Sequence, residues 1–489
     1  YDGDDEDIEY DGEEEDEDIE YDGVEEQDDS HMYIPPQSSK PRFTFKHSVQ
    51  TSPASELWAI AFSPYIMEDY GRRQCFRFAT CGENAVRIYE YEDGGNSGTS
   101  SASASSNSDG VFHELQFYRS CDEEDLFYAL SFGKRRIEAK RPSEEQFILL
   151  FGGAQGTIRI MDVLTAQEVT TLVGCTDAVH DLKVFSTTDD DNLLCSAAKG
   201  ELRLWNLDSF ACICIFGGVP YGHTGNVLSV AWHPRGTKIA SGGEDGKIAI
   251  WNVMGSPGVA KKAYGTAVPF DEAICASRLT EVRIGSTSKI LTRKQFTPKC
   301  QRFPETVHKD VHKNFVDCVM WLGDDEDALI LSKSIQDEII LWKPEPRLRP
   351  SERHKPGAKT KPSVFAIKMF QYHGCDGVYF VRFSMSSEVL AVGNNIGEVC
   401  LWDLQDFEAT NPYQILKPSV EQKGKESSPK KNKSSFAPRE EKSNLIRGVD
   451  FSPDGSLLVG CDANGNVFCW QSGNDDIEPA SAGLQTINL

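Results

Sequence analysis

The sequence of 489 residues lacks any C-x-x-C spacing, although it contains 14 cysteines. Cysteines two residues apart are common ligands of structural zinc, so their absence argues against a metal site. Many of the cysteines lie inside apolar stretches, among them Cys195, Cys318, Cys400 and Cys469. This placement favours reduced, buried thiols in an intracellular protein that needs no metal and no cofactor.

Long apolar runs are also lacking. No stretch of about 18 apolar residues occurs, and a membrane-spanning helix is therefore not expected. Basic residues are missing from residues 1–30, which hold 19 acidic side chains, while the whole chain carries a net charge of −26. The octapeptide DEDIEYDG occurs there twice, at 5–12 and 16–23. Self-repulsion predicts a disordered acidic tail over residues 1–40, which either keeps the protein soluble or contacts a lysine-rich partner.

The most informative stretch is residues 222–253, which begins with Gly-His and ends with Trp-Asn-Val. Three short alternating apolar runs inside it, joined by turn residues, are typical of one WD40 propeller blade. We expect His223, Ser241, Asp245 and Trp251 to form a hydrogen-bonded chain that satisfies polar groups inside the blade. One blade cannot bury both of its faces, so the pattern must repeat and close into a ring.

Seven such patterns follow one another. They begin near residues 57, 127, 178, 222, 314, 378 and 445. The third strand of five patterns carries a tryptophan, and Tyr89 and Met161 take that position in the first two; the tryptophans are Trp205, Trp251, Trp342, Trp402 and Trp470. The alternating segment 41–49 precedes them all and is expected to complete the last blade. The sequence thus predicts an all-β, seven-bladed WD40 propeller over residues 41–475.

Segments without strand patterns separate the blades. We predict flexible inter-blade insertions at about 92–112, 254–306, 343–362 and 407–443, and a C-terminal tail at 476–489. Residues 254–306 span about one blade period but lack a turn followed by a strand ending in Trp, which favours an insertion over an eighth blade. The lysine-rich loop 417–443 either contacts nucleosomal DNA phosphates or is a solvated loop.

The start of each first strand identifies a ring of residues. Each of these strands leads to an apolar anchor, namely Phe62, Phe132, Val184, Trp232, Trp321, Phe383 or Phe451. Four residues before the anchors lie Trp58, Tyr128, His180, Leu228, Asp317, Tyr379 and Arg447. Equivalent positions surround one mouth of the central channel.

Aromatic residues are concentrated on one side of this ring. Blade order brings Trp58, Tyr128 and the pair Tyr379 and Phe380 towards one small volume, beside Arg447. Converging aromatic faces suit a methylated ammonium group, because the ring quadrupoles attract the cation. The alternative is that these rings are rim packing or part of a protein interface.

Several segments resemble the Extra sex combs/EED family, the WD40 subunit of Polycomb repressive complex 2. They include GGAQGTIRIMDV (152–163), NFVDCVMWLGD (314–324), LILSKS (329–334) and IRGVDFSPDGS (446–456). The second and third of these are not found in WD40 repeats generally, so the resemblance is specific.

The resemblance implies a nuclear, non-enzymatic protein that binds trimethyl-lysine of repressive histone tails, chiefly histone H3 lysine-27. It implies an aromatic cage of Trp58, Tyr128, Tyr379 and Phe380. The residues that it places beside the peptide are His180, Asp317 and Arg447. The implied partners are an Enhancer of zeste-type methyltransferase, which the protein stimulates allosterically, and a Suppressor of zeste-type subunit.

Two other functions compete with this one. A generic WD40 adaptor, such as a ubiquitin-ligase substrate receptor, typically has a basic mouth for phosphopeptides, whereas only Arg447 is basic in the predicted ring. A propeller enzyme is the third hypothesis, since Asp317 and His180 are conceivable as a hydrolytic pair. No nucleophile or further ligand accompanies them on the ring.

Overall fold

A computed structural model of the chain describes residues 40–51, 55–69, 73–92, 111–137, 144–175, 177–186, 192–218, 222–253, 280–284, 288–292, 298–325, 328–344, 364–386, 388–418, 444–473 and 486–488. The chain divides into two units at residue 40, and every strand lies in the second unit, Pro41–Leu489. The described residues form strands and turns and contain no helix long and apolar enough to cross a membrane. The predicted acidic tail and most of the lysine-rich loop lie outside the described residues.

Thirty-three strands follow in chain order. The first ten are β1 (Phe43–Gln50), β2 (Ala59–Phe62), β3 (Ile66–Asp69), β4 (Arg73–Gly82), β5 (Ala85–Glu92), β6 (Val111–Arg119), β7 (Phe127–Ile137), β8 (Glu144–Gly153), β9 (Thr157–Asp162) and β10 (Glu168–Val173). The next eleven are β11 (Asp181–Ser186), β12 (Asn192–Ala198), β13 (Glu201–Asn206), β14 (Ala211–Gly217), β15 (Val227–Trp232), β16 (Lys238–Gly243), β17 (Ile248–Asn252), β18 (Thr280–Ile284), β19 (Ser288–Thr292), β20 (Lys299–Gln301) and β21 (Thr306–His308). The last twelve are β22 (Val316–Leu322), β23 (Leu329–Ser334), β24 (Glu338–Pro344), β25 (Val364–Gln371), β26 (Phe383–Met385), β27 (Val389–Gly393), β28 (Val399–Asp403), β29 (Gln414–Leu416), β30 (Ile446–Phe451), β31 (Leu457–Asp462), β32 (Asn466–Ser472) and β33 (Thr486–Asn488).

These strands build seven antiparallel blades, which confirms the predicted seven-bladed propeller. The first blade contains β2, β4, β5 and β6, and the second β7 to β10. The third contains β11 to β14, and the fourth β15, β16, β17 and β21. The fifth contains β22 to β25, and the sixth β26 to β29. The seventh contains β30, β31, β32 and, as its outer strand, β1.

Strand β1 closes the ring, as the alternation at 41–49 predicted. It pairs antiparallel with β32, from Phe43 opposite Ser472 to Gln50 opposite Asn466. Phe43 is buried and lies 5.8 Å from the ring of Phe451. The N-terminal strand therefore completes the C-terminal blade, so the two ends of the propeller hold each other.

The third strand of each blade carries the aromatic residue that the repeats predicted. All seven side chains at this position are buried, with Trp251 and Trp342 fully inaccessible to solvent. Each packs between its own blade and the neighbouring one, because a blade buries both faces only against other blades.

Buried polar side chains also tie adjacent blades together at their inner strands. Each accepts a hydrogen bond from a backbone N–H of the following blade: Asp181 from Val230 (2.9 Å), Ser229 from Val319 (3.2 Å) and Asp450 from Phe62 (2.7 Å). Hydrogen bonds between buried partners fix the rotation of one blade against the next.

The insertions occupy positions that differ in part from the prediction. Three of them join the third and fourth strands of a single blade: between β5 and β6, between β17 and β21, and between β24 and β25. Only the segment between β29 and β30 connects two blades. The predicted insertion 407–443 contains β29, the outer strand of the sixth blade. Within the predicted insertion 254–306, β20 adds a fifth, parallel strand to the third blade. Outer strands lie at the rim, where the connections between strands tolerate added length.

Candidate functional site

The predicted ring residues lie at the starts of the innermost strands. Trp58 directly precedes β2, His180 precedes β11, and Tyr128 is the second residue of β7. Because each first strand begins beside the channel, the side chains of neighbouring blades meet at this mouth.

Three aromatic rings from three blades contact one another there. The ring centroids of Trp58 and Tyr128 are 5.4 Å apart, and those of Trp58 and Phe380 are 5.7 Å apart. The planes cross at 68° and 89°, so both contacts are edge-to-face. Tyr128 and Phe380 lie 6.2 Å apart at 21°. Edge-to-face packing leaves ring faces directed towards a shared volume, which is the geometry that attracts a cation.

The structure separates the roles of the two adjacent aromatic residues. Phe380 is buried at 5% exposure and completes the three-ring cluster, whereas Tyr379 is 48% exposed. Phe380 has a φ of 59°, a conformation uncommon for a bulky residue. Its neighbours hold that conformation, since Val381 N–H donates to Asp317 Oδ2 at 3.3 Å and Arg382 N–H donates to the carbonyl of Arg447 at 2.8 Å. Phe380 thus lies at the base of the cluster and Tyr379 stands at its rim.

Arg447 already contacts one wall of this cluster. Its guanidinium carbon lies 4.0 Å from the centroid of the Trp58 ring. Nε and Nη2 donate to Oε1 of Glu56 at 3.1 Å and 2.6 Å, and Nη1 donates to the carbonyl of Tyr379 at 3.2 Å. Arg447 therefore covers part of Trp58 as a cation that is neutralised by a carboxylate.

His180 lies beneath the aromatic cluster. It is only 7% exposed, and its ring is 5.6 Å from Phe380 and 6.2 Å from Tyr128, nearly parallel to the latter. Burial lowers the pKa of His180, and the nearby Arg382 lowers it further. Burial also raises the pKa of the Tyr128 hydroxyl, with a smaller contribution from Tyr379. Both side chains are therefore uncharged near neutral pH.

The sequence prediction for Asp317 needs correction. Its side chain is completely buried and accepts two hydrogen bonds from Lys333 Nζ, at 2.7 Å and 2.9 Å. A carboxylate neutralised in this way is not presented to a peptide beside the mouth. It is also unavailable as a partner of His180 in a hydrolytic pair. The prediction failed because the partner, Lys333, comes from the second strand of the same blade, β23.

Sequence reasoning missed Arg382, which joins the cluster to the opposite side of the channel. Its guanidinium carbon lies 5.6 Å from the Phe380 centroid. Its Nη2 donates to the carbonyls of His180 and Leu228. The signal was an arginine two residues after the aromatic pair, in an otherwise apolar inner strand.

The fourth blade contains the expected chain of polar side chains. His223 Nδ1 lies 2.9 Å from Asp245 Oδ1, His223 Nε2 lies 2.9 Å from Ser241 Oγ, and Trp251 Nε1 donates to that same hydroxyl at 2.9 Å. Burial alone would raise the pKa of Asp245, but the hydrogen bond and charge of His223 outweigh it and lower the pKa.

A second chain of this kind, which the sequence analysis overlooked, lies in the fifth blade. His312 contacts Ser332 Oγ at 2.8 Å and Glu338 at 3.3 Å, and Trp342 Nε1 donates to Ser332 at 3.0 Å. Glutamate replaces aspartate here, which hid the pattern. Both chains are structural, since they lie inside blades and away from the aromatic cluster.

Comparison with known proteins agrees with the repeats. The model of the WD domain, G-beta repeat, matches residues 212–252 and 434–471. Polycomb protein esc of Musca domestica is 27% identical over 444 residues, covering 90% of this chain and 86% of that protein. Polycomb group protein FIE1 of Oryza sativa subsp. japonica is 29% identical over 398 residues, covering 80% and 83%.

Solved structures share the fold. A chain of apo ctPRC2 in an autoinhibited state superposes with a TM-score of 0.62 at 18% identity, covering 88% of this chain and 98% of that one. A chain of ctPRC2 in complex with H3K27me3 and H3K27M gives a TM-score of 0.58 at 19% identity, covering 88% and 97%.

Proposed function

We propose, because the chain is a homologue of the Polycomb proteins esc and FIE, that it is a non-catalytic WD40 subunit of a Polycomb repressive complex 2 that binds trimethylated lysine at its aromatic mouth. The observation that carries the proposal is the contact of Trp58, Tyr128 and Phe380. These three rings come from blades one, two and six and meet in one cluster.

The chemistry of this cluster suits a quaternary ammonium group. Trimethyl-lysine keeps its positive charge at every pH but has no N–H to donate, so it needs ring faces and apolar contact in place of acceptors. Each ring face contributes about 0.5–2 kcal/mol to binding a cation. Three rings together favour a methylated over an unmethylated lysine by at least about tenfold, since 1.4 kcal/mol corresponds to a factor of ten.

The rim supplies groups that position a peptide around the lysine. Tyr379 is half exposed above Phe380, and Arg447 is held beside Trp58 by Glu56. The histone H3 tail bearing trimethyl-lysine-27 is the proposed ligand. A neutralised arginine beside the cage leaves little net positive charge to repel this basic tail.

The proposed assembly follows from the same homology. The chain acts in the nucleus and binds an Enhancer of zeste-type methyltransferase together with a Suppressor of zeste-type subunit. Occupation of the cage stimulates the methyltransferase if the methylated peptide binds the active state of the complex more tightly than the inactive one. The loop 417–443 is proposed to contact nucleosomal DNA weakly; of its lysines, Lys417 is described and pairs with Glu398 at 2.9 Å.

Calorimetric titration with histone H3 peptides, unmodified and trimethylated at lysine-27, tests the reading function. We expect binding of the methylated peptide only, weakened about tenfold or more by Tyr128→Ala. Phe365→Ala is the matched control, because Phe365 is an exposed aromatic residue on the outer strand of the fifth blade. Equal binding of both peptides, or an unchanged affinity in Tyr128→Ala, contradicts the proposal.

Phosphopeptide binding distinguishes the adaptor hypothesis. The arginines described at the mouth, Arg447 and Arg382, are paired with Glu56 and Asp181. Phosphate would have to displace these carboxylates, so we expect no binding of a phosphorylated peptide of matched length.

A further inference from the structure

The residue at the base of the aromatic cluster is a histidine, and the structure assigns it no ordinary polar role. His180 packs against Phe380 and Tyr128 with centroid distances of 5.6 Å and 6.2 Å. Neither of its ring nitrogens makes a hydrogen bond to the residues that the structure describes, and both nitrogens are buried. Buried polar groups are normally hydrogen-bonded, so an unpartnered imidazole under a cation site calls for an explanation.

The backbone holds this imidazole in place. The carbonyl of His180 accepts a hydrogen bond from Arg382 Nη2, while Nη1 of the same guanidinium binds the next residue, Asp181. The guanidinium in turn lies 5.6 Å from the Phe380 ring. His180 and Phe380 are thus fixed against each other by one arginine.

We propose that His180 is a positioning residue of the methyl-ammonium site, whose neutral imidazole supports Phe380 and Tyr128 and whose protonation switches the site off. This inference rests on the proposed function. A phenylalanine at this position would give the same packing without sensitivity to acid. The imidazole adds a proton-dependent positive charge within one ring contact of the bound cation, and like charges at this distance repel.

The charged groups around His180 determine the direction of the effect. Arg382 disfavours the imidazolium, as burial does, whereas Glu244, Asn226 and Asp177 favour it. Asp181 faces Arg382 and is paired with it. Hydrogen bonding from the Ala178 N–H, with Lys199, lowers the pKa of Asp177, which stays charged over the range of interest. The net result is a pKa for His180 below the ordinary value.

The linkage has a definite sign. A bound trimethyl-ammonium further disfavours the imidazolium, so the peptide lowers the pKa of His180. Affinity is therefore complete above the pKa of the free protein and falls as the pH drops through it. The transition lies below the ordinary histidine pKa of about 6.5.

The test is calorimetric titration with a trimethyl-lysine peptide that lacks histidine and carboxylate side chains, between about pH 7.5 and about pH 5. We expect wild-type affinity to fall about tenfold across this range. His180→Phe should bind like wild type at the upper end and stay nearly constant. Parallel profiles for the two proteins would overturn the inference.

A second measurement uses the wild-type protein alone. Imidazole NMR titration should give a lower pKa for His180 in the presence of saturating peptide than in its absence, and an unchanged pKa refutes the inference. If the wild type binds no methylated peptide at any pH, the proposed function fails as well. If wild type binds and Tyr128→Ala does not, but the His180 profiles coincide, only the role of His180 fails.

Discussion

Arg382 of the sixth blade donates a hydrogen bond of 2.5 Å from Nη1 to Oδ1 of Asp181 in the third blade. The two residues lie on opposite sides of the ring, so this ion pair crosses the central channel. Burial alone would raise the pKa of Asp181, but the charge of Arg382 outweighs it and lowers the pKa. The pair thereby couples the base of the aromatic cluster to the inner strands of distant blades.

The first prediction concerns this ion pair. Arg382→Met should lower the free energy of unfolding by about 3–5 kcal/mol, because it leaves Asp181 buried without its cation. Chemical denaturation measures the loss. Lys183→Met is the control, since Lys183 is exposed and lies 3.9 Å from the same carboxylate; it should cost less than about 1 kcal/mol. Equal losses in both variants would show that the channel pair has no special importance.

The second prediction concerns the polar chain of the fourth blade. Ser241→Ala removes the acceptor of Trp251 Nε1–H and the partner of His223, so it should destabilise the protein by about 1–3 kcal/mol. Ser332→Ala, at the matching position of the fifth blade, should cost a similar amount. Thermal unfolding of both variants checks this, and a neutral Ser241→Ala would contradict it.

The third prediction concerns the pH dependence that Asp245 contributes. The folded protein lowers the pKa of Asp245 below that of the unfolded chain. Its stabilising contribution is therefore complete above the unfolded value of about 3.9 and is lost as the pH falls below it. Asp245→Asn should be less stable than wild type at neutral pH, and the difference should shrink in acid. A constant difference across the titration would argue against this linkage.

The fourth prediction concerns Glu56, which neutralises Arg447 beside Trp58. Glu56→Gln removes the counter-charge and leaves a cation next to the cage, so methylated peptide should bind about threefold more weakly at low salt. The additional change Arg447→Met should restore the affinity, because it removes the repelling charge. Calorimetry at two salt concentrations checks both variants. Stronger binding by Glu56→Gln would be the contrary result.

The fifth prediction concerns ring closure. Phe43→Ala should cost about 3–5 kcal/mol, because the side chain is buried in the last blade against Phe451. Phe117→Ala, on the exposed outer strand of the first blade, should have little effect. Denaturant midpoints compare the two, and similar midpoints would mean that β1 contributes little to closure.

Much of the fold was predictable because it depends on local patterns. The alternating runs and the buried residue of each third strand, from Tyr89 to Trp470, predicted seven blades, and the segment at 41–49 predicted the closing strand. The outer strands were harder to predict, because strands such as β25 are partly exposed and follow an insertion. Their position in a blade depends on pairing with a strand that is distant in sequence.

The candidate site divides in the same way. Counting back from the apolar anchors identified Trp58, Tyr128 and the Tyr379–Phe380 pair, since repeat symmetry relates equivalent positions. Repeat symmetry gives no information about burial, so the choice of Phe380 as the inner ring came from the structure. Repeat counting likewise missed Arg382, and it misplaced Asp317.

The amino-acid sequence by itself determined the number of blades, the order of the aromatic residues around the channel and the absence of a zinc-type cysteine motif. These properties follow from residue spacing along one strand or one repeat. Only the tertiary structure decided that Asp317 is consumed by Lys333, that Arg447 covers Trp58 and that His180 lies unpartnered beneath the rings. Those relationships join side chains from different strands or blades, and their distances and charges exist only once the ring has closed.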